Sequence, residues 1–382
     1  MRKGWEYKKL GEVCDVINGY AFKSSKYTSQ GTRIIRITNV QKGYVVDNDP
    51  KFYSDEDFKD LFQYSLFEGD LVMSLTGNVG RVGILQKNML PAALNQRVAC
   101  LRVKSKKMQL NYLFHLLNSN LFENAAIQSA RGIAQLNMST EWLKNYIIPL
   151  PPLSTQLAIV SELDKINELI RLKKEQLKDF DNLAQSLFYE MFGDPVENEK
   201  GWEVKKLNEI VSDNCSISYG IVQPGDGVEN GVPVVRPVDM TKTFVSRKGL
   251  KNTTKEISDS YKRTILKGNE ILMCVRGTTG LISMATPELQ GCNVTRGIAP
   301  IECGPTCDKW FVFYQILNPA IQHHIAEYTR GIALKQINMK DVRDIPLCLP
   351  PLSLQRLFAQ RIEQIEREKS EVQKSIQDLE TL

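Results

Sequence analysis

The chain carries one sequence pattern twice, and this duplication sharply limits the folds that it can adopt. Residues 4–13 (GWEYKKLGEV) recur as residues 201–210 (GWEVKKLNEI). LVMSLTGNVG at 71–80 aligns without a gap on ILMCVRGTTG at 271–280, 200 residues further on. Later segments keep nearly the same shift, as in RGIA at 131–134 and 330–333, and PPLSTQ at 151–156 against PPLSLQ at 350–355. Because 382 residues exceed what one core usually organises, we expect two copies of one domain.

Each copy predicts a mixed segment followed by a long helix. β-branched runs such as 32–38 and 71–75 predict short strands, and residues 109–127 and 308–327 have helical spacing. The prolines of 149–152 end the mixed segment, and Ser154 and Ser353 are placed as helix N-caps. The predicted fold class is α+β, with two repeated mixed α/β domains separated by two long antiparallel coiled-coil helices. The expected boundaries are 1–150, 151–192, 193–349 and 350–382.

Apolar residues recur at alternating steps of three and four in both helical segments, which is typical of a coiled coil. In the first helix these are Ile159, Leu163, Ile166, Ile170, Leu177, Phe180, Ala184, Leu187 and Met191, and in the second Phe358, Ile362, Ile365, Val372, Ile376 and Leu379. We expect the two helices to pair with each other, although a helix lying on its own domain is the alternative. Lys173 and Lys369 interrupt the two stripes and are predicted to set the register.

Composition excludes few classes of protein. A net charge of +5 is compatible with a polyanionic partner but does not require one. There is no apolar run long enough for a membrane helix and no secretory signal, so a cytoplasmic location is expected. The eight cysteines stand singly in mostly apolar runs and are interpreted as reduced core thiols, and the Cys303–Cys307 spacing lacks the second pair of a zinc site. No metal is predicted.

These features resemble the specificity subunits of type I restriction-modification systems over the whole chain. The most specific motifs are Gly-Trp-Glu at 4–6 and 201–203 and the Pro-Pro-Leu-x-x-Gln sequences at 151–156 and 350–355. The resemblance implies that each globular copy is a target recognition domain for half of a bipartite DNA site. It further implies that the helices set the spacing between the halves and bind two methyltransferase subunits. Those partners would use S-adenosylmethionine to methylate adenine N6, and motor-nuclease subunits would use ATP and Mg²⁺.

Differences between the copies suggest where bases are contacted. Gly77 and Gly80, like their counterparts in the second copy, predict a tight turn, and the residues around them differ between copies. Arginine suits guanine and asparagine suits adenine in the major groove, so the differences would change base preference; a variable surface hairpin is the alternative. Arginines that recur in both copies suit phosphate contacts, with structural ion pairs as the alternative. The candidate DNA-binding residues are Arg36, Thr76, Asn78, Arg81, Asn95, Gln96, Arg97, Arg131, Arg236, Arg276, Thr278, Thr279, Asn293, Thr295, Arg296 and Arg330.

Two other functional classes compete with DNA recognition. An adenine methyltransferase would need an Asn-Pro-Pro-aromatic motif, and Asn318-Pro319-Ala320 lacks the second proline. No phosphate loop is present, and only three histidines are available for acid–base chemistry, so no catalytic residue is predicted. A coiled-coil adaptor that binds no DNA, and the specificity subunit of a type II-like modification system, remain alternatives. Tyr20, Phe22 and Tyr219 either line the DNA groove or belong to the core.

Overall fold

The computed structural model describes residues 4–132, 136–331 and 334–381. The repeated Ile-Ala pairs at 133–134 and 332–333 lie outside the described residues. The chain divides into two compact units, Met1–Leu169 and Ile170–Leu382. The division falls inside the long helix that follows the first copy, so each unit contains one copy and part of the helical segments.

Unit 1 has mixed strands and helices. The strands are β1 (Glu6–Lys9), β2 (Cys14–Asn18), β3 (Thr32–Ile35), β4 (Val40–Gln41), β5 (Tyr44–Val45), β6 (Phe52–Tyr53), β7 (Ser65–Leu66), β8 (Leu71–Ser74), β9 (Val82–Ile84), β10 (Ala92–Leu94), β11 (Val98–Val103) and β12 (Ile147–Leu150). The helices are α1 (Leu10–Val13), α2 (Asp55–Phe58), α3 (Leu110–Leu117), α4 (Asn120–Ser129), α5 (Thr140–Asn145) and α6 (Leu153–Phe192), of which α6 continues into unit 2.

Two four-stranded sheets form the centre of unit 1, in the orders β6-β3-β10-β7 and β2-β11-β8-β9. Strands β3 and β10 are parallel, and the other pairs in these sheets are antiparallel. Strand β8 is buried along its whole length, because its residues Leu71–Ser74 lie between helix α3 and the other sheet. Strand β1 pairs with β12, which brings the two ends of the mixed segment together.

Unit 2 repeats this arrangement with fewer strands. They are β13 (Glu203–Lys206), β14 (Val232–Val235), β15 (Lys251–Thr253), β16 (Ile271–Cys274), β17 (Ile282–Met284), β18 (Asn293–Val294), β19 (Ile298–Ile301) and β20 (Pro346–Leu349). The helices are α7 (Lys255–Ser260), α8 (Lys309–Leu317), α9 (Pro319–Glu327), α10 (Met339–Arg343) and α11 (Leu352–Glu380). Sheets β15-β14-β18 and β17-β16-β19 match those of unit 1, including the parallel pair β14–β18. The duplication in sequence is therefore a duplication in structure.

The two predicted helices at 109–127 and 308–327 are each interrupted. Helix α3 ends at Leu117, and the Ser119 hydroxyl accepts from the Phe122 N–H to begin α4. In the second copy Asn318 Oδ1 accepts from the Ala320 N–H at 2.9 Å, ahead of Pro319. A capping side chain starts a new helix at both places.

The prediction that Ser154 and Ser353 cap the long helices is wrong. Helices α6 and α11 begin at Leu153 and Leu352, so each serine is the second helical residue. The Pro152 carbonyl accepts from the N–H groups of Thr155 and Gln156, and Pro351 takes the equivalent place in the second copy. The chain enters both helices directly from proline, which supplies the required φ without a capping side chain.

Within unit 2, residues 170–192 of α6 pair with α11 in antiparallel orientation. Lys174 near the start of this stretch bonds Glu380 near the chain end, with 2.8 Å between Nζ and Oε1. At the other end, the rings of Phe192 and Phe358 lie 5.3 Å apart. The predicted pairing is confirmed for this part of the helices, whose shared core includes Ala184, Phe188, Phe358, Ile362 and Ile365.

Only one of the two lysines predicted to set the register makes an ion pair between the helices. Lys369 Nζ lies 2.7 Å from both Asp181 Oδ1 on α6 and Glu366 Oε1 on its own helix. Burial by itself would lower the pKa of Lys369, but the two hydrogen bonds outweigh it and raise this pKa above its usual value. On α6, Lys174 rather than its neighbour Lys173 forms the ion pair with Glu380 of α11.

The alternative packing of a helix on its own domain also occurs. Val160 of α6 belongs to the core of unit 1, and Asp164 Oδ1 lies 2.8 Å from His115 Nε2 on α3. In unit 2, the ring of Tyr314 on α8 lies 5.5 Å from that of Phe358 on α11. The first turns of both long helices therefore lie on the copy that precedes them.

Candidate nucleic-acid interface

The glycine-containing segment after β8 forms the predicted tight turn in both copies. Gly77 and Gly80 have φ angles of 75° and 80°, and Gly277 and Gly280 have 89° and 85°. A Cβ on Gly80 would lie 2.9 Å from that of Ala126, whereas one on Gly277 would meet nothing within 4 Å among the described residues. Gly80 thus allows the first turn to pack on helix α4, and Gly277 leaves an open backbone in the second turn that a ligand can approach.

Three separate segments meet at the turn of the first copy. The Leu75 N–H donates to the Arg97 carbonyl at 3.0 Å, and the Gly77 N–H donates to the Leu136 carbonyl at 2.9 Å. Arg131 and Asn137 exchange backbone hydrogen bonds of 3.1 and 2.9 Å. The loop between β10 and β11 and the segment before α5 therefore flank the turn. We call residues 75–80, 95–97, 131–132 and 136–138 platform 1.

The second copy builds the same arrangement from different residues. The Val275 N–H donates to the Gly297 carbonyl, and the Gly277 N–H to that of Lys335, both at 2.8 Å. Arg330 and Gln336 exchange two backbone hydrogen bonds of 2.8 Å each. We call residues 275–280, 295–297, 330–331 and 335–337 platform 2. Both platforms form although their side chains differ. The backbone hydrogen bonding therefore depends on features that the two copies share.

The structure separates the predicted arginines into two groups. The members without a side-chain hydrogen bond or ion pair to any described residue are Arg97, Arg131, Arg276, Arg296 and Arg330. All five belong to the platforms, and Arg97, Arg131 and Arg330 are exposed. An arginine surface with no acidic partner attracts polyanions, so this group keeps the character expected of phosphate contacts.

The other predicted arginines are engaged within the protein. Arg36 Nη2 bonds Asp49 Oδ2 at 3.1 Å, and Arg236 makes two bonds to Asp239, from Nε at 3.0 Å and from Nη2 at 2.8 Å. The hydrogen bond to Asp239 raises the pKa of Arg236 above its usual value. For these two residues the alternative of a structural ion pair is the one that the contacts favour. Arg81 donates to Gln41 Oε1 at 2.8 Å.

Asn293 must be removed from the candidate DNA contacts. Its side chain is fully buried, its Oδ1 accepts from Thr264 Oγ1 at 2.7 Å, and its Nδ2 donates to Ser258 Oγ at 3.1 Å. Every polar atom of this amide is used inside the domain, so no base can reach it. In the loops that follow β10 and β18, Gln96 is exposed, and Asn95 and Thr295 are partly exposed.

The remaining predicted polar residues lie on the two turns. Asn78 and Thr278 are exposed at the tips. Thr76 Oγ1 donates to Asn137 Oδ1 at 3.3 Å, and Thr279 Oγ1 accepts from Thr329 at 3.1 Å. Beside platform 1 is an open cavity of about 300 Å³, to which Gln41, Asn78 and Arg81 contribute polar side chains.

The three aromatic candidates have different environments. Phe22 is buried with Tyr53 and Phe58, so the core interpretation is correct for it. Tyr20 is partly exposed, and its ring lies 5.3 Å from that of Tyr64. Tyr219 reaches platform 2, where its hydroxyl accepts from Gln336 Nε2 at 3.4 Å.

Sequence reasoning missed Asn137 and Gln336, which lie at the centres of the two platforms. Each is six residues after a repeated arginine, Arg131 or Arg330, and the amide side chain changes length between the copies. A side chain that differs within an otherwise repeated segment could have identified these two residues as candidates. The pairing of these residues with the glycine turn, about 60 positions earlier in the chain, was not visible without the fold.

Other sites are not evident among residues 4–132, 136–331 and 334–381. No cluster of three or more His, Cys, Asp or Glu side chains in these ranges has the arrangement of a metal site. The same ranges contain no helix with the length and apolar character needed to cross a membrane. All eight cysteines are free thiols, and six are buried.

A duplicated α+β domain, with an arginine-bearing platform in each copy and a long helix after each copy, defines a class of two-part recognition proteins. The chain belongs to the type I restriction modification DNA specificity domain family, whose characteristic sequence matches residues 2–179 and 199–381. Both copies are thus members of one family, and the predicted resemblance and fold class are confirmed.

Curated relatives agree with this assignment, and one solved structure shares the fold. The chain is 25% identical to the type I restriction enzyme EcoBI specificity subunit of Escherichia coli, over 97% of this chain and 81% of that protein. It is 24% identical to the putative MjaX specificity subunit of Methanocaldococcus jannaschii, over 97% and 90% of the two chains. A chain from a structural study of the assembly and conformational transition of the type I R-M system shares the fold, with a TM-score of 0.61, 20% identity, and coverage of 100% and 96%.

Proposed function

We propose that this chain is the DNA-recognition subunit of a type I restriction-modification enzyme and that each platform contacts one half of a bipartite target. The observation that carries the proposal is the pair of platforms. Their backbone hydrogen bonding is the same, and both carry arginines that have no acidic partner among the described residues. The side chains at their turns differ, with Thr76 and Asn78 in one and Arg276 and Thr278 in the other. A common scaffold with different polar tips suits binding to two unlike DNA sequences.

In this proposal Arg97, Arg131 and Arg330 contact phosphates, and the turns, which include Arg276, contact base edges. Arg97, Arg131 and Arg330 supply positive charge at exposed positions. Binding would then depend strongly on salt, since each neutralised phosphate releases counterions. Arg276 is suited to a bidentate contact with guanine, which would make it specific for one half-site.

Catalysis is assigned to partner subunits. We propose two methyltransferase subunits that bind S-adenosylmethionine and methylate adenine N6, and motor-nuclease subunits that use ATP and Mg²⁺. The chain itself would hold no cofactor and carry no catalytic residue. It would act in the cytoplasm, where the DNA is, and direct its partners to the target.

The test is to express the chain with its cognate methyltransferase subunit and to map methylated adenines across the host genome. A bipartite motif with a fixed gap is expected. A continuous motif, or no methylation although the partner is demonstrably active, would overturn the proposal.

A further inference from the structure

We propose that the central amides of the platforms, Asn137 and Gln336, are specificity-determining residues that each contact an adenine edge in one half-site. This inference rests on the proposed function, and it adds residues that neither the sequence comparison between copies nor the family assignment identifies. It is carried by the placement, orientation and remaining hydrogen-bonding capacity of the two side chains.

Both amides occupy the same position in the backbone. Asn137 pairs with Arg131 on one side and with Thr76 on the other, and both pairings are antiparallel bridges. Gln336 pairs in the same way with Arg330 and Arg276. A residue held between two neighbouring segments has little backbone freedom, so its side chain can be presented to a ligand without a large loss of conformational entropy.

In platform 1 the amide is held by a hydroxyl. Thr76 Oγ1 lies 3.3 Å from Asn137 Oδ1 and donates to it. The second lone pair of Oδ1 and both Nδ2 hydrogens make no hydrogen bond to the described residues, and the side chain is exposed. One acceptor position and two donor hydrogens therefore remain, and a base edge needs one of each.

Platform 2 sets the orientation from the opposite end of the amide. Gln336 Nε2 donates to the Tyr219 hydroxyl at 3.4 Å, and Tyr219 Oη in turn lies 3.4 Å from the Ile337 carbonyl. One Nε2 hydrogen and Oε1 remain without a partner in the described ranges. A different hydroxyl from a different segment thus leaves the same donor–acceptor pair available.

This pair matches adenine. In the major groove adenine presents N6–H as a donor and N7 as an acceptor, and an oriented asparagine or glutamine satisfies both at once. Guanine presents two acceptors at the corresponding edge, which would leave the amide oxygen facing an acceptor. The flanking arginines, Arg131 in one copy and Arg276 with Arg330 in the other, supply positive charge around each amide and so favour approach of the phosphate backbone.

The experiment uses the full-length chain with its cognate methyltransferase subunit and selects bound sequences from a pool of duplexes with both half-sites randomised. Gln336→Met keeps the length of the side chain but removes the amide. We expect it to lose the preference for adenine at one position of one half-site by roughly 5- to 150-fold. Asn137→Leu should do the same in the other half-site. In each variant the other positions of the same half-site report that the substituted domain is folded.

Two further variants separate base contact from structural support. Tyr219→Phe removes only the hydroxyl that orients Gln336, so it should weaken the same adenine preference to a smaller degree. Asn338→Ala is the matched control, because this exposed amide lies two residues away, caps no helix N–H and is not at a platform centre. Its selected sequences should equal those of the wild type.

The outcomes distinguish this inference from the function on which it rests. If the wild-type complex selects a bipartite sequence and Gln336→Met selects the same one, the amide assignment is wrong while DNA recognition stands. Equal weakening on all sequences, without a change of preference, would also overturn it, because it would indicate a phosphate contact. If the wild type itself selects no sequence, both proposals fail.

Discussion

Gln156, the last residue of the first Pro-Pro-Leu-x-x-Gln sequence, is fully buried and makes three hydrogen bonds. Its Nε2 donates to the carbonyls of Lys107 and Pro151, both at 2.8 Å, and its Oε1 accepts from the Gln109 N–H at 2.9 Å. It thereby joins the start of α6 to the start of α3. We expect Gln156→Leu to leave three backbone groups without a partner and to destabilise unit 1.

The magnitude follows from the number of bonds lost. A buried polar group left without a hydrogen bond costs about 1–3 kcal/mol. Local relaxation would let water reach some of the three groups, so the expected total loss of stability is about 3–5 kcal/mol. Gln355→Leu in the second copy removes the bonds to Pro350 and Asp308, at 2.7 and 2.9 Å, so its effect should be about two thirds as large. The exposed Gln176→Leu is the matched control and should stay within about 0.5 kcal/mol of wild type.

The assay combines urea unfolding, followed by far-ultraviolet circular dichroism, with hydrogen exchange read by mass spectrometry. Exchange should rise in residues 105–117 and 148–165 of the Gln156→Leu variant and stay unchanged in residues 300–360. A free energy of unfolding within about 1 kcal/mol of wild type, or faster exchange spread equally over both units, would contradict the role assigned to Gln156.

Three other predictions test the helices and the platforms. Lys369→Leu should destabilise unit 2 by about 2–3 kcal/mol by unpairing Glu366, whose side chain is 10% exposed, while the same change combined with Glu366→Leu should be nearly neutral in urea unfolding. Arg97→Ala should lower the slope of log affinity against log salt by about 0.9, and the ion-paired Arg36→Ala should leave it unchanged, in anisotropy titrations. Arg276→Ala should relax or abolish recognition of one half-site only in methylation maps, and equal loss at both would contradict its role.

Much of the candidate site could be predicted because the chain supplies its own comparison. Glycines that recur at 77 and 277 indicated a turn, and the positive φ angles confirm it. Recurrence could not distinguish a surface arginine from one in an ion pair, because Arg36 and Arg131 both recur. The difference depends on whether a carboxylate lies nearby in space, and Asp49 does so only for Arg36.

The sequence also did not reveal which of the candidate residues are buried in the core. Asn293 lies in strand β18, where it pairs with Val234 as Ala93 pairs with Ile34 in the first copy, and it is fully buried. Asn95 lies in the loop after β10 and is partly exposed. The burial of Asn293 follows from Thr264 and Ser258, which come from other segments and bond its amide. A sequence pattern does not reveal such partners, since they are brought together only by the sheet and its loops.

The duplication, the α+β composition of each copy and the long helices could all be inferred from the amino-acid sequence, because repeats and apolar periodicity are properties of neighbouring residues. The family resemblance was likewise present in local motifs. Tertiary packing was needed to establish which helix faces meet, and that Lys174 rather than Lys173 bonds across them. Packing also places Asn137 and Gln336 at the platform centres. Hydrogen bonds between segments about 60 residues apart create those centres, and local sequence does not encode which distant segments will meet.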